Sequence, residues 1–172
     1  FLTDLGIARR IADTVDACPG IPVLEIGPGM GVMTQYLYPK DREFKCVEID
    51  RESVAYLQET YPKLRDGIIG DDFLRMDLGT VFGGRQFVLT GNYPYDILSV
   101  LIQAWYDTEY LFTVDEDVFN PPPKVKSAVI RMTRNQRTDL GCDWLLFRRI
   151  VKTVFNQRRK MLRVSLKQMF TD

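Results

Sequence analysis

Asn92-Tyr93-Pro94-Tyr95 is the stretch whose residue types point most directly to a reaction. The Asn92 side-chain oxygen and the Pro94 carbonyl are two acceptors. Together they can hydrogen-bond an exocyclic amine on an aromatic base and favour its pyramidal, nucleophilic form. Tyr95 offers a ring on which the base can stack once it has left any helical stack. Such chemistry needs no titrating base, which suits a chain of 172 residues with no histidine. The plainer alternative is a proline-containing turn at the end of a strand.

A second cluster could hold a nucleotide-like partner. Val23-Leu24-Glu25-Ile26 is a short apolar run that ends in Gly27-Pro28-Gly29-Met30-Gly31, and a helix-compatible segment, Val32 to Tyr38, follows. Glycine suits a turn where the backbone approaches a ligand closely, because it lacks a Cβ and tolerates positive φ. The expected helix N-terminus would add free N–H groups and positive partial charge. The dinucleotide fingerprint is G-x-G-x-x-G, but here position 32 is Val, which weakens a nicotinamide reading. Glu25-x-Gly27-x-Gly29-x-Gly31 instead resembles the first motif of class I S-adenosylmethionine-dependent methyltransferases. Glu48 lies 21 residues beyond Gly27 and closes the next strand, where a carboxylate can reach ribose hydroxyls. Asp72 and Phe73 follow a third strand; they could meet an adenine amine and its ring, or form only a solvated turn.

The elements that must position these residues alternate. Asp4 caps a first helix with apolar positions Ile7, Ile11 and Val15. Strands are expected over 21–26, 44–49, 67–70, 87–90, 110–114 and 127–133, with helices over 51–61 and from Leu98 to Tyr106. Asp50 suits the N-cap of the former. Alternation of strands and helices predicts an α/β fold with a mainly parallel sheet and right-handed crossovers. Strands 110–114 and 127–133 form an antiparallel closing hairpin. Between them, Phe119 precedes three prolines that stiffen the loop towards polyproline geometry; its ring could hold a base or could be core. The expected organisation is a catalytic body over 1–133, a polar linker over 134–142 and a basic helical region over 143–172 that begins a small C-terminal domain.

Composition bounds the function classes. A 45% hydrophobic content supports a packed core, and no apolar run approaches a membrane span. Three dispersed cysteines, Cys18, Cys46 and Cys142, without CxxC spacing, predict reduced thiols in a cytoplasmic protein and no metal site. The absence of histidine excludes an imidazole base and a histidine-ligated metal. Net charge is zero, yet residues 131–172 carry 11 Lys and Arg against 3 Asp and Glu, so residues 1–130 carry the opposite excess. Arg148, Arg149, Lys152, Arg158, Arg159, Lys160, Arg163 and Lys167 lie beside the apolar helical positions Phe147, Ile150, Val151, Val154, Phe155, Leu162, Leu166 and Met169. That pattern predicts contact with RNA phosphates rather than a merely solvated face.

Taken in order, the motifs Phe1-Leu2-Thr3-Asp4, Glu25 to Gly31, Val47-Glu48-Ile49-Asp50, Gly70-Asp71-Asp72-Phe73, Gly91-Asn92-Tyr93-Pro94-Tyr95, Val118 to Ser127 and Phe155 to Lys160 resemble the rRNA adenine dimethyltransferase family over essentially the whole chain. The resemblance implies a Rossmann-like class I methyltransferase fold. It also implies transfer of methyl groups from S-adenosylmethionine to two adjacent adenosines near the 3′ end of small-subunit rRNA, in ribosome biogenesis. Leu2, Gly27, Glu48, Asp72 and Asn92 match the family's cofactor contacts, to which the turn residues Glu25, Gly29, Gly31 and Phe73 are added. Asn92, Pro94, Tyr95 and Phe119 match its target-adenine site. Arg158, Arg159, Lys160 and Arg163 are the expected RNA contacts, and a monomer is the default expectation.

The chain departs from the family in two places. It begins too late to include a cofactor contact two residues before the Leu2 position, so its true start is expected upstream. It also lacks several dozen residues after Ile97, including one strand of the seven. An omitted segment is the expectation rather than a true deletion, because losing an internal strand exposes sheet edges. Two rivals remain: a large-subunit rRNA adenine methyltransferase of the resistance type, and a non-catalytic RNA-binding assembly factor that keeps the fold.

Overall fold

A computed structural model describes residues 2–73, 76–91, 104, 106–124, 126–137, 139–155, 157, 161–167 and 169. Among the sequence expectations, Asn92, Pro94, Tyr95, the helix begun at Leu98, and Arg158, Arg159 and Lys160 lie outside the described residues. The chain divides into two compact units, Phe1–Tyr93 with Thr113–Ser127, and Pro94–Phe112 with Ala128–Asp172.

The first unit is built on a parallel sheet. Strands β1 (Val23–Ile26), β2 (Phe44–Val47), β3 (Ile68–Ile69) and β4 (Val88–Gly91) lie in the order β3-β2-β1-β4. In the central strand, Ile26 is opposite Val47 on one side and Gly91 on the other. The carboxyl ends of β1, β2 and β4 therefore share one edge. All four residues of β1 are buried, as expected for a parallel strand covered on both faces. Alternate residues feed two cores. Val23 and Cys46 join one with Ala8, Ala12, Leu37 and Leu57, whereas Leu24 and Val47 join another with Val81 and Phe82.

Three helices flank the sheet. Helix α1 (Leu5–Asp13) starts where the Asp4 carboxylate accepts from the Ile7 N–H. Its most buried positions are Ala8 and Ala12 rather than Ile7 and Ile11, which are partly buried. Small side chains let the helix axis approach the sheet, and the isoleucines fill the margins. Helix α2 is only Thr34–Leu37, and α3 is Arg51–Thr60, capped by Asp50 accepting from the Ser53 N–H at 2.8 Å.

In the second part of the chain, β5 (Tyr106–Val114) and β6 (Ser127–Arg134) form an antiparallel hairpin that is a two-stranded sheet of its own. Arg131 and Glu109 pair across it at 2.9 Å. Helices α4 (Trp144–Phe155) and α5 (Leu162–Lys167) follow, with Val151 buried and Arg148, Arg149, Lys152, Arg163 and Lys167 exposed. Among the described residues there are six strands, and β5 begins four residues earlier than its sequence pattern suggests.

Gly91 shows how closely the strands are held. A Cβ there would lie 2.5 Å from the Ile26 carbonyl oxygen and 3.1 Å from the Ile26 nitrogen. Those are backbone atoms of the neighbouring strand and cannot rotate away. Gly91→Ala should therefore lower unfolding free energy by about 1–3 kcal/mol, the usual cost of overpacking. Denaturant titration measures this, and an unchanged midpoint would show that β4 can shift without cost.

Candidate functional site

The turn after β1 uses its glycines for different reasons. Gly27, Gly29 and Gly31 all have positive φ, at 62°, 54° and 79°. A Cβ on Gly27 would meet nothing within 4 Å, so its face is open to a ligand. A Cβ on Gly31 would come within 3.2 Å of the Tyr61 ring and 3.4 Å of Leu57, so this glycine serves the packing of α3. The regular helix expected over Val32 to Tyr38 is limited to Thr34–Leu37. The turn continues through Met33, and four residues sum too few peptide dipoles to make a strong positive end. The site's negative charge comes instead from the Glu48 carboxylate, with the buried Glu25 carboxyl close to it.

Glu48, 8% exposed, stands at the end of β2. Its Oε2 accepts from the Gly29 N–H at 2.9 Å, and its Oε1 accepts from the Ile49 and Asp50 N–H groups at 2.8 and 2.9 Å. The carboxylate thus ties the glycine turn to the next strand end. Three of its roughly four acceptor positions are used, and the remaining one belongs to Oε2. Glu25, only 1% exposed, sits on β1 between Cys46 and Thr90. Its Oε2 accepts from the Thr34 hydroxyl at 2.8 Å. Burial pushes its carboxyl up to about 8; the Thr34 hydrogen bond opposes that rise and the nearby Glu48 adds to it. Burial, aided by Glu25 and Glu48, pushes the Cys46 thiol up to about 12. This thiol stays neutral and is no nucleophile.

Phe73 is partly buried against the Leu24 and Val47 cluster, with Asp72 beside it also half-buried. Leu2 is buried and bridges Phe119 in an isolated antiparallel pairing, and the Phe119 ring packs partly into the same apolar cluster. Gly91 ends β4 at the edge shared with Gly27 and Glu48, and the chain then enters Asn92-Tyr93-Pro94-Tyr95, which lies outside the described residues. Three contributors had no sequence signal strong enough to single them out: Thr34 as the partner of Glu25, Tyr61 against Gly31, and Thr3 beside Leu2. A lone threonine or tyrosine announces nothing until the fold supplies its neighbour.

The Glu48 carboxylate bound to the glycine turn, with open space at Gly27, leaves an acceptor for a polar ligand. Among the described residues no three His, Cys, Asp or Glu side chains converge on a metal site, and no helix is long and apolar enough to cross a membrane.

The buried Glu25 makes stability depend on pH. Folded, it keeps its proton to about pH 8; its ordinary value is 4.5. The folded chain therefore binds more protons in between, and this contribution is full below about pH 4.5 and lost as pH rises through 8. The slope from one group cannot exceed about 1.4 kcal/mol per pH unit. Glu25→Gln should flatten the decline in unfolding free energy between pH 5 and 8, measured by urea titration. An identical pH slope in the variant would show that Glu25 ionises normally.

Comparison with known proteins adds an independent observation. The sequence model of the family described as ribosomal RNA adenine dimethylase matches residues 1–99 and 91–172. Ribosomal RNA small subunit methyltransferase A of Bacteroides thetaiotaomicron is 56% identical over 208 positions, covering 97% of this chain and 78% of that protein. The Flavobacterium johnsoniae protein of the same name is 46% identical, covering 97% of this chain and 80% of that protein. Because 97% of 172 residues occupies 208 aligned positions, the Bacteroides protein has about forty residues that this chain lacks. The two family matches meet at residues 91–99. Among solved structures, the 23S rRNA methyltransferase ErmE superposes with a TM-score of 0.64 at 24% identity, over 98% of this chain and 84% of that one. A dimethyladenosine transferase from Plasmodium falciparum gives 0.62 at 18%, over 97% and 74%. These two show the fold alone. The matching family model and the relatives near half identity show that the chain belongs to the ribosomal RNA adenine dimethylase family.

Proposed function

We propose that this chain transfers methyl groups from S-adenosylmethionine to the exocyclic amines of two adjacent adenosines near the 3′ end of small-subunit rRNA, in the cytoplasm and as a monomer. The observation that supports the reading is the shared strand edge, where β1 ends before the open Gly27 face, β2 ends before Glu48 and β4 ends at Gly91. The catalytic body is 1–133, joined by 134–142 to the basic helical region 143–172. Relatives named for small-subunit rRNA support this substrate over a large-subunit one, whose likeness is of fold alone.

The residues fit the cofactor. Glu48 has an acceptor position left on Oε2 for ribose hydroxyls, Gly27 leaves the room, and Glu25 adds acidic character below. Leu2, Gly29, Gly31, Asp72, Phe73 and Asn92 would complete the binding set. When bound, S-adenosylmethionine supplies a methyl group on a sulfonium sulfur. The Asn92 side-chain oxygen and the Pro94 carbonyl accept from the adenine amine, directing its lone pair away from the ring. Tyr95 and Phe119 would each offer a ring on which the extruded base can stack. Transfer of that methyl to the amine would break its bond to sulfur and leave a neutral thioether, and the amine's proton would go to solvent, so no side chain need titrate. Arg158, Arg159, Lys160 and Arg163 supply phosphate contacts.

Glu48→Gln keeps an acceptor for the turn but removes the charge. It should weaken cofactor binding by about 1–3 kcal/mol, the value of a hydrogen bond to a charged group, as read by calorimetry. Unchanged affinity would remove Glu48 from the cofactor set. Asn92→Ala should leave RNA binding intact, weaken cofactor binding only modestly and slow methyl transfer by about 10²–10³-fold, by analogy with the loss of one positioned polar contact at a reacting centre. The assay is transfer of labelled methyl to small subunits lacking the modification, using full-length protein. Wild-type protein that binds both partners but transfers no label would instead be an assembly factor.

A further inference from the structure

The segment before α1 is fastened to the loop that carries Phe119. The Thr3 backbone N–H donates to the Val118 carbonyl at 2.8 Å, and the Thr3 hydroxyl donates to the same oxygen at 2.9 Å. On the adjoining residues, Leu2 and Phe119 form an antiparallel bridge, and both side chains enter one apolar cluster. Asp4, immediately after, caps α1, whose Ala8 and Ala12 are fully buried in that cluster. The anchor for Thr3 is therefore rigid. Two further contacts among the described residues of the loop are weaker. The Phe119 N–H reaches the Glu116 carbonyl only at 3.3 Å. Lys126 and Asp115 meet at 2.6 Å, but their side chains are 62% and 61% exposed. Exposed ion pairs hold little.

We propose that Thr3 is a positioning residue for the target base: by holding the Val118 carbonyl with both its N–H and its hydroxyl, it fixes the place of the Phe119 ring. The inference rests on the reading of Phe119 as a base-holding ring. The hydroxyl is the informative part, because the backbone bond survives any substitution. Losing it leaves the oxygen one donor short and lets residues 118–119 drift, which a stacking contact tolerates poorly. Leu2 keeps its buried place, so cofactor affinity should not follow.

The test compares full-length Thr3→Val, Thr3→Ser, Phe119→Ala and the double variant Thr3→Val with Phe119→Ala, in methyl transfer to small subunits lacking the modification. Thr3→Val should lose about 3–10-fold in kcat/KM for RNA, the worth of one net hydrogen bond. Cofactor Kd and the thermal midpoint should be unchanged. Thr3→Ser, which keeps the hydroxyl, should recover the rate. The double variant should be no slower than Phe119→Ala alone, since Thr3 acts only through that ring. If Thr3→Val lowers the midpoint, Thr3→Ala enters the same cycle well below both midpoints. Wild-type rates in Thr3→Val, or a double variant slowed further by the full Thr3 factor, overturn the positioning role. A wild-type rate in Phe119→Ala overturns the base-holding reading itself, and the positioning role with it.

Discussion

Three backbone N–H groups converge on the Glu48 carboxylate, one from the glycine turn and two from the residues that follow β2. A turn with three glycines at positive φ has many conformations available to it, and ordering it is costly in entropy. Hydrogen bonds to a charged acceptor in a nearly dry place are stronger than neutral ones. The carboxylate therefore selects one turn conformation and holds it at the sheet edge. Asp50, free of that duty, caps α3 through the Ser53 N–H, and α3 in turn presents Leu57 and Tyr61 to Gly31. Removing the carboxylate would loosen both sides of the turn at once.

The same arrangement places Glu25 where a carboxyl has no comfortable charged state. It has a single hydroxyl partner, lies between Cys46 and Thr90 on a fully buried strand, and has Glu48 as an acidic neighbour. A structural role alone would be served as well by glutamine. Holding a poised carboxyl beneath an open face has a purpose if the partner carries positive charge, since a cation nearby favours the ionised form that burial opposes. Thr34, also fully buried, orients the group meanwhile and explains why α2 begins at that residue rather than at Val32.

Much of the first unit was legible in the sequence because its signals are local. Asp4 and Asp50 were readable as caps, the strand end at Ile26 followed from an apolar run that stops at glycine, and Glu48 stood out by its distance from Gly27, although β2 stops at Val47, two residues before the expected Ile49. What remained hidden depended on partners far along the chain. Ala8 and Ala12 are ordinary helix formers until a sheet lies close enough to need small residues. Phe73, read as a partner for an adenine, is also part of the Leu24 cluster. The pairing of Thr3 with Val118 spans 115 residues. The separate hairpin is a further case. With about forty residues of the Bacteroides relative absent near residues 91–99, β4 has β1 as its strand partner, while β5 and β6 have each other.

Zero net charge conceals two opposed requirements. A glycine turn held by the Glu48 carboxylate, with Asp71 and Asp72 closely following the next strand, suits a cationic ligand but repels a phosphate backbone. A protein acting on RNA must then carry its cations elsewhere, and residues 131–172 do so with 11 Lys and Arg against 3 Asp and Glu. On α4 and α5 Arg148, Arg149, Lys152, Arg163 and Lys167 are exposed while Val151 is buried. Mixing the two signs over one surface would weaken both interactions, because opposite charges within a Debye length of about 8 Å cancel one another's field. Segregating the two signs along the chain leaves a net positive stretch over 131–172 and a net negative remainder, which suits a large anion at the one and a small cation at the other. A sum of zero is then the expected balance of the two tasks rather than a sign of neither.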